Sequence, residues 1–297
     1  MLTPRWAATL HAPGPRRAVA GRFGQRHADY NAPREARVQQ ARLDPVPPRC
    51  QPYSIVSRAT ATEAMTQRTP IVFLPGLLND AALWSHQVDG LADIAAPQVV
   101  ETTRHDTVAE IAAAALSEAP DRFALAGLSM GGYVAFEMLR QQPERVARLA
   151  LINTRATLDS AAEARRRRGL IQLARRGRFK GVTPRLMPTL LAEANLADAK
   201  LTGTVTGMAE RVGRDGFIRQ QTAIMHRPDS RPLLPAIAQP TLVVGGRDDT
   251  LTPPAEQHHM AEHIPGADLV ILARAGHLSP LERPEAVTNA LRGWLMA

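Results

Sequence analysis

Three residue types in a fixed order make nucleophilic catalysis possible in this chain. Ser129 stands in "AGLSMGG" (126–132), Asp248 and Asp249 in "VVGGRDDTLTPP" (243–254), and His277 in "ILARAGHLSPLERPE" (271–285). A serine hydroxyl is a weak nucleophile at neutral pH; it needs a base, and the base needs an acid to orient it. Ser129 lies between Gly127 and Gly131, the spacing G-x-S-x-G. At a sharp strand-to-helix turn that spacing lifts a serine hydroxyl clear of a sheet edge, because small neighbours relieve the crowding. A phosphate-binding turn is the second reading. Neither G-x-x-x-x-G-K-[ST] nor the dinucleotide pattern G-x-G-x-x-G is present to support it.

The elements that must position these residues are legible from Met65 onward. Apolar runs at 71–74, 97–102, 122–127, 146–153, 241–246 and 267–273 read as six strands. Helical patterns separate them at 108–119 and 131–142, and a last helix spans about 280–296. Strands alternating with helices imply βαβ units, a mostly parallel sheet and helices on both faces. Residues 155–235 read instead as several helices: "LDSAAEARRRRGLIQLARRG", "TPRLMPTLLAEANLADA", "KLTGTVTGMAERVG" and "GFIRQQTAIMH". An all-helical insertion in such a sheet is expected to cap the carboxyl ends of the strands, where ligands bind. Ser129, the Asp pair and His277 fall in loops at that same edge. The turn "FLPGLLND" (73–80) after the first strand is expected to bend at Gly76 and to present the Leu77 N–H. With the Met130 N–H, at the start of a helix, it would stabilise charge on a carbonyl oxygen.

Together "LPGL" (74–77), "GLSMG" (127–131), "GGRDD" (245–249) with "TPP" (252–254), and "AGH" (275–277) resemble the α/β-hydrolase fold superfamily over essentially all of 69–297. The resemblance implies Ser129 as nucleophile, His277 as base, and Leu77 and Met130 as oxyanion donors. It aligns the acid on Asp249, with Asp248 the lesser candidate. It implies a serine hydrolase acting on a small carboxylic ester, lactone or thioester, with no metal or organic cofactor. Two departures point to a sub-branch: Pro75-Gly76 where many relatives have His-Gly, and "ETTRHDTVAEI" where many carry D-x-x-G-x-G-x-S. The same triad could also serve C–C bond hydrolysis, acyl transfer or cofactor-free perhydrolysis. A non-catalytic binding protein on this fold is the alternative from another class.

Composition bounds these readings. The 297 residues are 44% hydrophobic and 22% charged, which suits a globular core. Apolar runs fall far short of the roughly 18 residues that span a bilayer. One cysteine, Cys50, excludes an intramolecular disulfide and fits a cytoplasmic location. The net charge of +8 is concentrated at the start: residues 1–64 hold ten Arg against four Asp/Glu, and 65–297 hold 26 Lys/Arg against 24. The near balance of the larger part, with few aromatics, argues against nucleic acid as a partner. Residues 1–64 lack a helical or strand period and are expected to be a disordered extension or to precede a true start at Met65. Their proline density argues against an amphipathic targeting helix.

The remaining chemistry-bearing residues have plainer readings. His258, His259 and His263 fit a solvated helix face better than a zinc site. Arg165–Arg168, Arg175 and Arg176 fit a charged outer face, or the attraction of an anionic substrate. Trp84 is a possible pocket residue or core.

Overall fold

In the computed structural model, residues 68–297 are described; the expectations for 1–64 and for Cys50 lie outside them. Six strands form one parallel sheet: β1 (Thr69–Leu74), β2 (Ala95–Val99), β3 (Phe123–Leu128), β4 (Val146–Ile152), β5 (Thr241–Gly246) and β6 (Asp268–Leu272). Their spatial order is β2-β1-β3-β4-β5-β6. The inner strands β3 (FALAGL) and β5 (TLVVGG) are buried along their whole length, as strands covered on both faces must be. β2 begins two residues before the run expected at 97–102 and stops at Val99. Its Pro97 has no N–H to give, and β2 is an edge strand, where that loss is tolerated.

Helices α1 (Ser85–Gly90), α2 (Val108–Glu118), α3 (Met130–Gln141), α7 (Pro254–His263), α8 (Ser279–Glu282) and α9 (Pro284–Met296) flank the sheet. Alternation along β1 divides the core. Val72 and Leu74 pack with Ile111 and Ala115 of α2 and Val134 and Met138 of α3. Ile71 and Phe73 pack on the other side with Trp84 and with Val287, Leu291 and Trp294 of α9. The single helix expected over 280–296 is two, broken at Arg283, because Pro284 restricts the residue before it.

Between β4 and β5 the described chain is helical without a strand. It holds α4 (Ala161–Leu173), α5 (Met187–Leu190) and α6 (Ala199–His226). α4 starts in a reciprocal cap, Ser160 with Glu163. The helix expected over 183–199 shrinks to the four residues of α5 and a short 3-10 turn at Glu193–Asn195, since Pro184 and Pro188 remove donors. The two helices expected over 200–213 and 216–226 form one run, α6, interrupted at Gly213 with φ 67°.

Asp159 anchors this helical segment. Its buried carboxylate receives Arg155 at 2.8 Å, Arg167 at 2.5 Å and Arg227 at 2.9 Å. Burial pushes its pKa up, but Arg167 and Arg227 pull it further down, so it stays below the ordinary aspartate value. A depressed carboxylate contributes stability above its unfolded pKa of about 4, and loses it as pH falls through the folded value. Asp159→Asn leaves three guanidinium groups around a neutral amide. We expect urea denaturation at neutral pH to show a loss of about 3 kcal/mol, shrinking toward pH 3; a loss under about 0.5 kcal/mol would mean the arginines find water instead.

Candidate active site

Ser129 occupies the N-cap position of α3, with φ 54° and ψ −113°. Serine is an ordinary cap residue, yet here its hydroxyl makes no cap bond. It meets His277 Nε2 at 2.8 Å instead. The turn is enforced by lack of room. A Cβ on Gly127 would stand 2.5 Å from the Gly131 carbonyl oxygen, and one on Gly131 would stand 2.1 Å from the Leu74 carbonyl oxygen. The Ser129 N–H donates to the Ile152 carbonyl at 3.0 Å, and its carbonyl accepts from Thr154 Oγ1 at 2.7 Å.

His277 follows β6, and its Nδ1 lies 2.9 Å from Asp249 Oδ2. The loop after β5 brings Asp249 there, while Asp248 is exposed and its N–H is bonded to the Ala275 carbonyl. The Asp249 carboxylate accepts four further hydrogen bonds. Thr252 Oγ1 (2.6 Å) and Asn153 Nδ2 (2.8 Å) donate to Oδ2, and the Leu251 and Thr252 N–H groups (2.9 and 3.0 Å) donate to Oδ1. Burial raises its pKa, but the neighbouring His277 imidazole and these bonds outweigh burial and hold it below the ordinary value. An ionised carboxylate has no proton to give, so His277 Nδ1 must be the donor. That tautomer leaves the Nε2 lone pair for the Ser129 hydroxyl.

The Leu77 and Met130 N–H groups donate to no acceptor among the described residues. The loop carrying Leu77 turns over Gly76–Asn79, closed by the Asn79 N–H on the Gly76 carbonyl at 3.2 Å. The left-handed residue is Leu78, φ 60°, and its N–H is fixed by Gln220 Oε1 of α6 at 3.0 Å. Gly76 is needed for space, since a Cβ there would stand 2.9 Å from Asn79 Oδ1 and 3.0 Å from Leu128 Cδ2. Ser129, His277 and Leu77 line one cavity of about 370 Å³ with Tyr133, Phe179 and Phe217. Trp84 does not join them. It is fully buried in the core against Phe73, ring centroids 4.7 Å apart, because its side chain falls on the α9 face of the sheet. His259 and His263 lie 4.2 Å apart on α7, and no cluster of three metal-ligating side chains occurs among the described residues.

Sequence reasoning missed two supports. Asn153, with φ 44° at the end of β4, bonds Asp249 and also the Gly276 carbonyl at 3.0 Å; an Asn directly after a strand is a weak signal for a left-handed turn. Glu282 is buried and accepts from Gly276 N (2.8 Å) and Leu278 N (3.2 Å), on either side of His277. Its other oxygen accepts from Ala192 N (2.7 Å) and Asn195 Nδ2 (2.8 Å), beyond α5. Burial lifts its pKa above the ordinary glutamate value, against the pull of these donors. The Leu190 carbonyl completes the tie by accepting from His277 N at 2.9 Å.

Known proteins place the chain in a family. A model described as the alpha/beta hydrolase family matches residues 71–290, and the chain belongs to that family. A provisionally named non-heme bromoperoxidase of Mycobacterium tuberculosis is 30% identical over 75% of this chain and 92% of its own. A provisionally named carbamate hydrolase of Serratia proteamaculans is 30% identical over 57% of this chain; the match spans only 64% of that relative. The solved structure of a thermophilic esterase from Thermogutta terrifontis superposes with TM-score 0.69 at 31% identity, covering 77% of this chain and 89% of that one. Other relatives carry methyl ester esterase and enol-lactonase names.

Glu282→Gln would turn a donor toward N–H groups that already donate, leaving at least one buried group unpaired at about 1–3 kcal/mol. We expect labelling of Ser129 by a fluorophosphonate to slow by about tenfold in a variant that remains folded by circular dichroism. A wild-type rate would mean that other contacts hold the His277 loop.

Proposed function

We propose that this protein is a serine hydrolase that cleaves a small carboxylic ester, lactone or thioester. The observation that carries the reading is the continuous chain from Ser129 Oγ through His277 to Asp249, at 2.8 and 2.9 Å, opening on a cavity. His277 takes the proton of Ser129 as its oxygen attacks the scissile carbonyl. The Leu77 and Met130 amides hold the oxyanion, worth on the order of 2–4 kcal/mol per donor. The leaving group takes the proton from His277, and water repeats the sequence on the acyl-enzyme. Asp249 keeps the imidazole in the right tautomer and stabilises its cation. The helical segment within about 155–235 acts as a cap over the site, since α4 and α6 supply cavity walls. The esterase and lactonase names of relatives support the substrate class.

A second reading, cofactor-free perhydrolysis at the same serine, is favoured by the relative named as a non-heme bromoperoxidase. A p-nitrophenyl ester series run with and without hydrogen peroxide separates the two by product analysis, carboxylic acid against peracid.

The test of the nucleophile is Ser129→Ala. Fluorophosphonate labelling and ester turnover should both vanish in it. Asp249→Asn should keep the fold and lower kcat by roughly a thousandfold or more, through loss of the correct tautomer. A folded wild type that neither labels nor turns over any ester would reject the hydrolase reading in favour of a binding protein.

A further inference from the structure

We propose that the cavity takes substrates that carry a carboxylate remote from the bond Ser129 attacks. The inference rests on the serine-hydrolase reading and adds the substrate class to it. Residues 159–186, at the start of the helical segment, hold nine Arg/Lys against two acidic residues. Both acids are already committed. Asp159 takes Arg155, Arg167 and Arg227. Glu163 takes Arg155 at 2.9 Å and caps α4.

Three of the remaining cations, Arg166, Arg178 and Lys180, line the same cavity as Ser129 and His277. None has a carboxylate within ion-pair distance among the described residues. Arg166 comes from α4, whereas Arg178 ends the turn at Ala174–Arg178 and Lys180 follows it. Leu170, Phe179 and Phe217 supply apolar wall in the same cavity. The lining therefore offers a reactive polar group, apolar wall and unpaired cations. Its complement is an ester or lactone with an apolar spacer and an anion. Arginine suits a carboxylate because its planar fork can bind both oxygens.

A solvated outer face is the plainer reading of such a charge run, and it fits Arg165, Arg175 and Arg176. They are exposed, as Arg166, Arg178 and Lys180 also are, but they do not line the cavity. They therefore serve as the control for local recognition against general attraction by the basic segment.

The experiment compares p-nitrophenyl monoesters of succinate through suberate with neutral p-nitrophenyl esters of matched chain length, using the full chain. We expect the ratio of kcat/KM, anionic over neutral, to reach about tenfold at low ionic strength and to decline as salt screens the exposed cations. Arg166→Gln/Arg178→Gln/Lys180→Gln should bring the ratio to near one. Arg165→Gln/Arg175→Gln/Arg176→Gln, with the same loss of charge, should retain most of it. A wild-type ratio near one, or an equal loss in both triple variants, overturns the subsite. Adipate binding to Ser129→Ala by calorimetry reads the subsite without catalysis. Binding that the cavity variant abolishes and the control keeps upholds the subsite even if no ester is turned over, so only the hydrolase reading would then fall. Absent binding with no anionic preference overturns the subsite while neutral ester turnover leaves the hydrolase reading standing.

Discussion

The closeness of α3 to the sheet governs the rest of the structure. The first turn of that helix approaches the end of β1 so nearly that Gly131 has no room for a Cβ beside the Leu74 carbonyl. Gly132 is equally confined, since a Cβ there would stand 2.3 Å from Thr154 Oγ1. With the helix pressed in, the chain must reverse within one residue after β3. Ser129 takes the left-handed backbone conformation that such a reversal demands, at a cost of roughly 1–3 kcal/mol. Backbone bonds to β4, through Ile152, and the Thr154 hydroxyl hold it there. A hydroxyl that would elsewhere cap its own helix is thereby released toward His277.

Three buried carboxylates divide the supporting work. Asp249 is wrapped in donors and stays ionised, so it orients the imidazole without competing for its proton. Glu282 binds backbone on both sides of His277 and reaches across to the chain after α5. Asp159 gathers arginines from the β4 loop, α4 and the end of α6. Each is satisfied by several donors, as buried charge must be. The surface of the helical segment, by contrast, is left with cations that have no internal partner.

The sequence made the scaffold and the three polar residues of the Ser129–His277–Asp249 chain legible, because their signals are local. Short apolar runs mark strands wherever they fall, and a serine between glycines announces a turn. Asp249 was separable from Asp248 only by resemblance; in the structure the loop geometry alone distinguishes them. The supports were not legible, since each acts on a partner far along the chain. Gln220 meets Leu78 across 142 positions, and Asn153 meets Asp249 across 96. Polar residues in a helix or at a strand end look like solvated positions until the fold supplies the other half. Trp84 carried no sign of which face of the sheet it would join. Pro184 and Pro188 are visible in the sequence, but the helical composition of 183–199 masks their effect. The basic run was equally visible, yet only the folded helical segment separates cations lining the cavity from those outside it.

The same distances bear on how the molecule comes to exist. Ser129 and His277 touch across 148 positions, and every strand pairing in the sheet is parallel and joined by a crossover. No stretch of chain that ends before β6 contains the imidazole, so Ser129 is present long before His277 during synthesis. Contacts of such separation close late and slowly. The hydroxyl is therefore unassisted in a partly assembled chain and gains its neighbour only with the last strand. Under the proposed hydrolase reading, reactivity at Ser129 reports completed assembly of the sheet, and an unfinished chain stays chemically quiet.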